Sequence, residues 1–345
     1  RYSVLPGPGG SNTLQSAMKE KSWGPNYFHV GLRLESDFDQ ESDWGLLLDF
    51  RKTSLNKLGA EWNSEFEIGS EFRVFSEFYQ PLNFAGYFFL DPSFNYEDSI
   101  QGIYSNNHRD AEYDVSTLEL RGDAGVQLRH YAELRAGPLW RHVKADVKTG
   151  ESSLPSVEED EGGWSVKLTA DRFDRTVFAT KGFGLEVYCE LIREEMGSET
   201  SYEKFSAEYA QCFSFGRHTL SPAFLMGTDF GSGLPPYSEF TVGGVRNFMG
   251  LADGELRGQK YGVASLTHRY RLMPLPPSLG RAIFTIARFD AGNAWSDPQE
   301  VELSDLRYGG GIGLGADTAI GPFYLGYGLA DRGASRFYFS LGTIF

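Results

Sequence analysis

Val245-Arg246-Asn247-Phe248 sets one arginine beside an aromatic residue within residues 231–257, a long stretch rich in glycine and proline. Strand-like segments precede and follow this stretch, and glycine and proline commonly mark loops. The pattern therefore predicts a long loop between two strands. The residue pattern of the segments on either side indicates which kind of sheet contains this loop.

Apolar and polar side chains alternate along most of the chain, as expected of strands whose residues point to opposite faces in turn. Between residues 28 and 35, and again between 61 and 68, one face is apolar and the other is charged. The charged face carries Arg33, Glu35, Glu61, Glu65 and Glu67. A membrane barrel with a wet interior turns such a face inward, so we predict that these residues line a lumen.

Sixteen strands are predicted in this way. They are residues 27–38, 43–54, 60–69, 71–82, 86–104, 110–128, 131–149, 163–176, 182–195, 202–215, 218–230, 259–272, 281–296, 307–316, 321–330 and 336–345. An even number brings both ends of the chain to one side of the membrane, as single-chain bacterial barrels require. The predicted fold is an all-β, antiparallel transmembrane barrel with a long sixth outer loop.

The connections between these strands alternate in length. Even-numbered connections up to the tenth, the eighth included, are predicted to be short turns, whereas the odd-numbered ones include an acidic loop at 150–162 and the loop at 231–257. Short turns face the periplasm and long loops face the exterior in such barrels. The twelfth connection, residues 273–280, is longer than a tight turn and departs from this rule.

Composition favours a barrel over membrane helices. Aromatic residues make up 15% of the chain, yet its mean hydropathy is only −0.35. No apolar run approaches the roughly 18 residues that a spanning helix needs. Strands need apolar residues only at alternate positions, so a low mean hydropathy is compatible with membrane insertion. The net charge of −15 would repel nucleic acid, and we predict no nucleic-acid partner.

The two ends of the chain differ in character. Residues 1–25 are predicted to be a linker from a missing upstream domain, and residues 26–345 are predicted to be the barrel. The last strand carries apolar residues at alternate positions, Phe337, Phe339, Leu341 and Phe345. These residues resemble the C-terminal signal by which the barrel assembly machinery recognises outer-membrane proteins.

The two cysteines are predicted to be free. Cys189 and Cys212 fall on neighbouring strands, but alternation turns Cys189 to the apolar face and Cys212 to the polar face. Side chains on opposite faces cannot meet the geometry of a disulfide.

Arg246 lies in a loop that is long enough to fold back into the lumen. A buried guanidinium needs a carboxylate partner, because an unpaired buried charge is unfavourable. Asp290 is the candidate, since alternation along residues 281–296 turns it inward. Glycines at positions 243, 244, 250 and 292 would let the backbones approach closely. Charge and spacing alone leave open the alternative that Arg246 is a solvated loop arginine.

Val245-Arg246-Asn247-Phe248, Asp290-Ala291-Gly292 and the aromatic last strand resemble the outer-membrane protein 85, or bacterial surface antigen, superfamily. Its members are sixteen-stranded assembly factors and secretion transporters. The resemblance implies a lumen latch formed by Val245, Arg246, Asn247, Phe248, Asp290 and Gly292, in which Arg246 pairs with Asp290 of the thirteenth strand. The superfamily usually has glycine at the position of Asn247, and asparagine fits there if the backbone is left-handed.

Three further stretches resemble the barrel of PlpD-type patatin-like autotransporters of Gram-negative bacteria, which carry out type Vd secretion. They are Lys21-Ser22-Trp23-Gly24-Pro25-Asn26-Tyr27, Leu58-Gly59-Ala60-Glu61-Trp62 and Glu77-Phe78-Tyr79-Gln80-Pro81-Leu82. The likeness spans residues 20–345. In that family a signal peptide, a patatin-like phospholipase domain and one POTRA domain precede the barrel, so the resemblance implies the same upstream parts here.

No catalytic motif occurs in the sequence. A patatin-like lipase needs a Gly-x-Ser-x-Gly nucleophile elbow, which is lacking. The acidic run at 158–161 is predicted to be a solvated outer loop, because its spacing is not that of a calcium loop. The histidines and cysteines show no zinc-ligand spacing. We predict no enzyme activity, metal or cofactor for these residues and expect lipase activity of the upstream domain.

Three functions remain open at this stage. The first is an autotransporter barrel of the bacterial outer membrane that anchors and exports its own N-terminal passenger. The second is an assembly factor or two-partner secretion transporter that acts on a separate polypeptide, and the third is a membrane tether that exports nothing. The expected partners are outer-membrane lipid, the barrel assembly machinery and the passenger. A homodimer formed through the lipid-facing surface stays open.

Overall fold

The structure, a computed structural model, describes residues 2–6, 12–16, 26–38, 42–105, 108–150, 155–296 and 301–342. Its strands are β1 (Tyr2–Pro6), β2 (Asn12–Ser16), β3 (Asn26–Ser36), β4 (Ser42–Lys52), β5 (Glu61–Gly69), β6 (Phe72–Pro81), β7 (Phe88–Ser105), β8 (His108–Leu128), β9 (Ala132–Thr149), β10 (Val157–Asp171), β11 (Gly182–Ile192), β12 (Tyr202–Phe215), β13 (His218–Thr228), β14 (Phe240–Val242), β15 (Leu256–Gly258), β16 (Lys260–Pro274), β17 (Gly280–Trp295), β18 (Arg307–Thr318), β19 (Gly321–Ala330) and β20 (Ser335–Gly342). Over the described residues, β3–β13 and β16–β20 close into one antiparallel barrel of sixteen strands. The predicted fold class is confirmed, and β17 is the thirteenth strand of the wall.

Each predicted strand corresponds to one strand of the wall, and the largest shift of a strand start is at β10. This strand begins at Val157, so the acidic run at 158–161 lies in the wall, and its prediction as a solvated loop is wrong. The register explains the difference, because Glu161 lies opposite Arg141 and Glu158 lies opposite Lys144 on β9. Opposite charges facing each other across two strands stabilise their pairing.

The eighth connection spans residues 172–181, and its prediction as a short turn is wrong. Asp174 explains why β10 ends at Asp171, earlier than predicted. Its carboxylate accepts hydrogen bonds from the backbone N of Thr180 at 2.7 Å, from Oγ1 of Thr180 at 2.6 Å and from the backbone N of Lys181 at 3.1 Å. These bonds fold the segment onto itself instead of extending β10 and β11.

Alternation divides the wall into an apolar outer face and a polar inner face. The outward side chains of Phe28 and Val30 are 63% and 62% exposed, as expected of residues that meet lipid. The predicted lumen residues lie on the inner face, where they form ion pairs: Arg33 with Glu67 at 2.6 Å, Glu61 with Arg51 at 2.6 Å and Glu65 with Arg73 at 4.0 Å. No helix among the described residues has the length and apolar character to cross a membrane.

Both cysteines are free, which confirms the prediction. In the β11–β12 register Cys189 lies opposite Phe205, whereas Cys212 lies opposite Gly182 at the other end of the pair. Cys212 is buried on the inner face beside Ser221.

The wall closes where β20 meets β3, and over the described residues this seam is its shortest ladder. Among the described residues it joins four pairs, Phe339–Ser36, Ser340–Glu35, Leu341–Leu34 and Gly342–Arg33, whereas the neighbouring β19–β20 ladder joins seven. Strand length varies in the same sense, from 18, 21 and 18 residues in β7, β8 and β9 to 8 residues in β20. The wall is therefore tall at β7–β9 and low beside the seam.

Residues 1–25, predicted to be a linker, include a short antiparallel hairpin of β1 and β2. Within the described residues these two strands pair only with each other and not with the wall. The segment thus contains local sheet structure that composition did not reveal.

Candidate functional site

The long connection between β13 and β16, residues 229–259, folds into the lumen, and we call it the sixth loop. It contains the β14–β15 hairpin and the one-turn helix α1 (Gly244–Asn247). The side chains of Phe248, Met249 and Leu251 are 0%, 1% and 0% exposed. Phe248 and Leu251 belong to an apolar cluster that includes residues of β9, β11, β12 and β16. The predicted in-folding of this loop is confirmed.

Glycines on the inner faces of β18 and β19 make room for the loop. A Cβ built on Gly311 would lie 2.6 Å from Cε of Met249, and one built on Gly328 would lie 2.8 Å from N of Gly250. At Gly309 a Cβ would overlap the main-chain oxygen of Met249. Only glycine fits such close approach. Glycine at every second position from 309 to 315 could have revealed this space in the sequence, because alternate residues share one face of a strand.

Asp290 on β17 is the centre of the contact between the loop and the wall. Its carboxylate is fully buried and accepts a hydrogen bond from N of Met249 at 3.0 Å. Arg288, two residues earlier on the same face, pairs with Asp290 at 2.7 Å. The same guanidinium donates to the carbonyl oxygens of Val245 at 2.8 Å and Arg246 at 2.9 Å. The ion pair therefore fixes the backbone of the loop.

The expected pairing of Arg246 with Asp290 is wrong. Arg246 is half-exposed, and its Nη2 lies 3.7 Å from Oε1 of Glu35 on β3. Asp290 already has Arg288 as its partner, and α1 places Arg246 on the side of the loop that faces β3. Arg288 supplies the charge that was expected from Arg246.

The backbone at Asn247 is not left-handed, which was the condition under which asparagine was expected to fit this position. Asn247 ends the helix α1, and its Oδ1 accepts a hydrogen bond from N of Gly243 at 2.7 Å. The positive φ angles fall on Gly243 (148°) and Gly244 (78°) instead. Gly292 lies in the wall, where a Cβ would overlap the main-chain oxygen of Gly262 on the neighbouring strand. Gly292 thus serves strand packing rather than contact with the loop.

The sixth loop is fastened to the seam from inside. The hydroxyl of Tyr338 on β20 donates to the carbonyl oxygen of residue 251 and accepts from the amide of residue 250, both at 2.8 Å. Arg336, also on β20, pairs at 2.7 Å with Asp37, which directly follows β3, and lies 3.8 Å from Glu255 of the loop. All three charged side chains are buried. The last strand, the first strand and the loop therefore share one buried ion cluster.

The residues predicted to form the C-terminal signal lie on the opposite face of β20. Phe337, Phe339 and Leu341 alternate with the inward residues, and Phe337 is 58% exposed towards the lipid. The fourth residue, Phe345, lies outside the described residues.

The start of the loop is fastened to the far wall. The hydroxyl of Tyr237 donates to Glu161 at 2.8 Å, and Nζ of Lys204 donates to the carbonyl oxygen of Ser238 at 2.7 Å. Arg141 on β9 pairs with Glu161 at 2.9 Å. Burial and the nearby charge of Glu161 raise the pKa of Tyr237, so its hydroxyl remains the donor. Sequence reasoning missed this contact because it placed the acidic run in a loop.

Two cavities lie along the inner faces of β3–β6, beside the sixth loop. Their volumes are about 360 and 530 Å³, and both are lined by Leu47, Glu67 and Arg73. Their walls together hold nine carboxylates but only four arginines. Two adjoining acidic cavities therefore lie in the lumen next to the seam. In the part of the chain that the structure describes, no group of three or more His, Cys, Asp or Glu residues is placed to hold a metal.

A closed antiparallel wall, an apolar outer face and a long loop held inside it define an integral β-barrel of the outer membrane. The chain belongs to the Omp85 superfamily, whose domain matches residues 55–345.

The fold is similar to two solved structures at 14% sequence identity. BamA from Haemophilus ducreyi lacking POTRA domains 1–3 superposes with a TM-score of 0.74, over 100% of this chain and 75% of that one. CdiB from Escherichia coli superposes with a TM-score of 0.67, over 99% of this chain and 67% of that one. At such low identity the likeness concerns the fold alone.

A shorter sequence match extends to a plant protein. Over 112 residues the chain is 30% identical to the chloroplastic outer envelope protein 80 of Arabidopsis thaliana. The match covers 31% of this chain and 15% of that protein, so the chain spans a small part of its relative's length.

Proposed function

We propose that this barrel anchors an N-terminal patatin-like lipase in the outer membrane and exports it, as an autotransporter does. The observation that carries the proposal is the seam: its ladder is the shortest of the wall over the described residues, and the sixth loop holds it from inside. A pure anchor needs a closed wall but has no use for a separate fastening across one weak ladder.

The lumen offers a path that fits this function. The acidic cavities lie along β3–β6, directly beside the seam, and residues 244–247 of the sixth loop form part of the wall of one of them. A polypeptide in this space would meet charged and polar side chains, which interact with an unfolded backbone without burying it in an apolar core. The identity of the passenger rests on the resemblance of residues 21–27, 58–62 and 77–82 to PlpD-type barrels.

Protease treatment of intact cells tests the proposal. The full-length protein would carry an epitope in its N-terminal domain, and external protease should remove that epitope without permeabilisation. A periplasmic reporter protein that stays intact in the same cells is the control for membrane integrity. Removal of the epitope only after the outer membrane is permeabilised would show that the barrel is a periplasmic tether.

A second candidate is an assembly factor or two-partner secretion transporter, as BamA and CdiB share this fold. Such a protein acts on a separate polypeptide, so its loss should lower the amount of other proteins at the cell surface. Depletion followed by quantitation of the remaining outer-membrane proteins separates the two functions, because loss of an autotransporter removes only its own passenger.

A further inference from the structure

The eighth connection crosses the lumen instead of following the rim, and we call residues 172–181 the periplasmic cap. It leaves the wall between β10 and β11 and reaches the inner faces of β16, β17 and β18. The strands β12 and β13 stand between its origin and β16. The cap lies at the end of the barrel that carries the even-numbered turns, which is the periplasmic end.

Phe178 makes the far contacts of the cap. Its ring stacks on Phe284 of β17, with centroids 4.9 Å apart and planes at 24°. Cε1 of the ring lies 3.1 Å from where a Cβ on Gly315 would be, so glycine at 315 leaves room for it. Cζ of Arg269 lies 5.9 Å from the ring centre, and its guanidinium donates a hydrogen bond to the carbonyl oxygen of Ala179. Ring stacking and a cation at this distance are both favourable.

The base of the cap is held to the nearby strands β11 and β12. Asp174 folds the segment by accepting hydrogen bonds from Thr180, and Oγ of Ser214 on β12 donates to the carbonyl oxygen of Thr180 at 2.6 Å. The ring of Phe173 fills the space beside Gly184 on β11. Two aromatic residues of the cap thus have different roles, since only Phe178 bridges to the far strands.

The backbone of Phe178 is left-handed, with φ at 49°. This conformation is uncommon for a bulky residue. It persists where surrounding contacts determine it, and it is frequent at functional sites. Here it delivers the ring to the socket formed by Phe284, Gly315 and Arg269.

We propose that the periplasmic cap covers the part of the lumen entrance that lies in front of β11–β18. Docking of the Phe178 ring in its socket keeps this part of the entrance closed. The inference rests on the proposed function for its purpose, because an export barrel needs a periplasmic entrance that is narrowed at rest. The sixth loop fills the outer part of the same lumen, so the two segments close opposite ends.

Single-channel recording in planar lipid bilayers tests the cap with the chain as it stands. Phe178→Ala should raise the conductance about threefold, because pore diameter governs ion flow. Phe173→Ala removes the same side chain from the same cap but leaves the bridge to β17 intact, so its conductance should match that of the unchanged protein. If both variants raise the conductance equally, lost volume rather than docking is the cause, and the proposal fails.

A second pair of variants tests the arginine of the socket, Arg269, against a control arginine. Arg269→Ala should raise the conductance as Phe178→Ala does, whereas Arg281→Ala should not, since Arg281 is exposed and lies 3.7 Å from Asp317. The change of electrophoretic mobility on heating shows whether each barrel is folded. Unchanged conductance in folded Phe178→Ala and Arg269→Ala would contradict the proposal that the cap closes the entrance. It would not contradict the proposed export function, because no passenger takes part in the recording.

Discussion

Arg288 and Asp290 form a buried ion pair whose two members also bind the backbone of the sixth loop. Removing one member of such a pair lowers the stability of the protein by more than the intact pair contributes. The remaining charge then stays buried in a medium that solvates it poorly. Arg246 differs in kind, since it is half-exposed and its partner lies 3.7 Å away. Exposed ion pairs contribute little to stability.

Arg288→Ala should therefore lower the free energy of unfolding by about 3–5 kcal/mol. Arg246→Ala should lower it by no more than about 1 kcal/mol, which makes it the matched control. Urea unfolding of the refolded barrel in detergent, followed by tryptophan fluorescence, measures both. The opposite order of effects would show that Arg246, and not Arg288, holds the loop.

At the scale of elements, the seam and the sixth loop are coupled. Tyr338 and Arg336 belong to β20, and both contact the loop. Movement of β20 away from β3 therefore has to break contacts inside the lumen as well as the ladder itself, of which four pairs lie in the described residues.

A disulfide across the seam should stop export by preventing that movement. Leu34 and Leu341 are register partners, and both can be replaced by cysteine after Cys189 and Cys212 are changed to serine. We expect the oxidised protein to keep its passenger protected from external protease and the reduced protein to expose it. Cysteines at Leu325 and Phe339, partners across β19–β20, are the control and should leave export unchanged. Export through a locked seam would contradict this mechanism.

The periplasmic cap should open at strongly acidic pH. Burial alone would raise the pKa of Asp174, but hydrogen bonds from Thr180 and Lys181 outweigh it and lower the pKa from 3.8 to about 2. A carboxylate with a lowered pKa contributes stability that is complete above its ordinary pKa and is lost as the pH falls through the lowered value. Conductance should stay constant from neutral pH to about 4 and rise between about 4 and 2.

Asp174→Asn is the control for this titration. It cannot ionise, so the step assigned to Asp174 should disappear while any titration of lumen carboxylates remains. An identical rise in both proteins would assign the acid response to the lumen instead of the cap.

For the whole molecule, the charge of the side chains that line the lumen beside the seam determines which ions pass. Nine carboxylates and four arginines line the two cavities. Carboxylates that line a pore favour cations, so we expect the unaltered barrel to conduct by this route and to pass potassium over chloride by about threefold or more. The reversal potential in a potassium chloride gradient measures this ratio. Glu67→Gln, at a residue shared by both cavities, should reduce it, and an anion preference would contradict the assignment of this route.

The sequence was sufficient to predict the wall, because period-two alternation repeats in most of the strands and depends on no distant contact. The inner position of Arg33 and Glu67 follows from the same local rule. The partner of Asp290 could not be predicted in this way. Arg246 and Arg288 are both arginines within reach of the lumen, and only the path of the loop backbone decides between them. The cap was missed because only the hydrogen bonds of Asp174 are local. The contact that the cap makes with β17 joins residues that are far apart in the sequence.

The tall side of the wall has a consequence outside the membrane. At roughly 3.3 Å per residue, a strand of about 20 residues is close to 65 Å long. With a tilt of about 40° it still rises well beyond the lipid band of about 25 Å. The outer ends of β7, β8 and β9 therefore stand above the cell surface as a rigid ridge. Among the described residues, this ridge is the part of the barrel that an antibody or a bacteriophage approaching an intact cell would touch first.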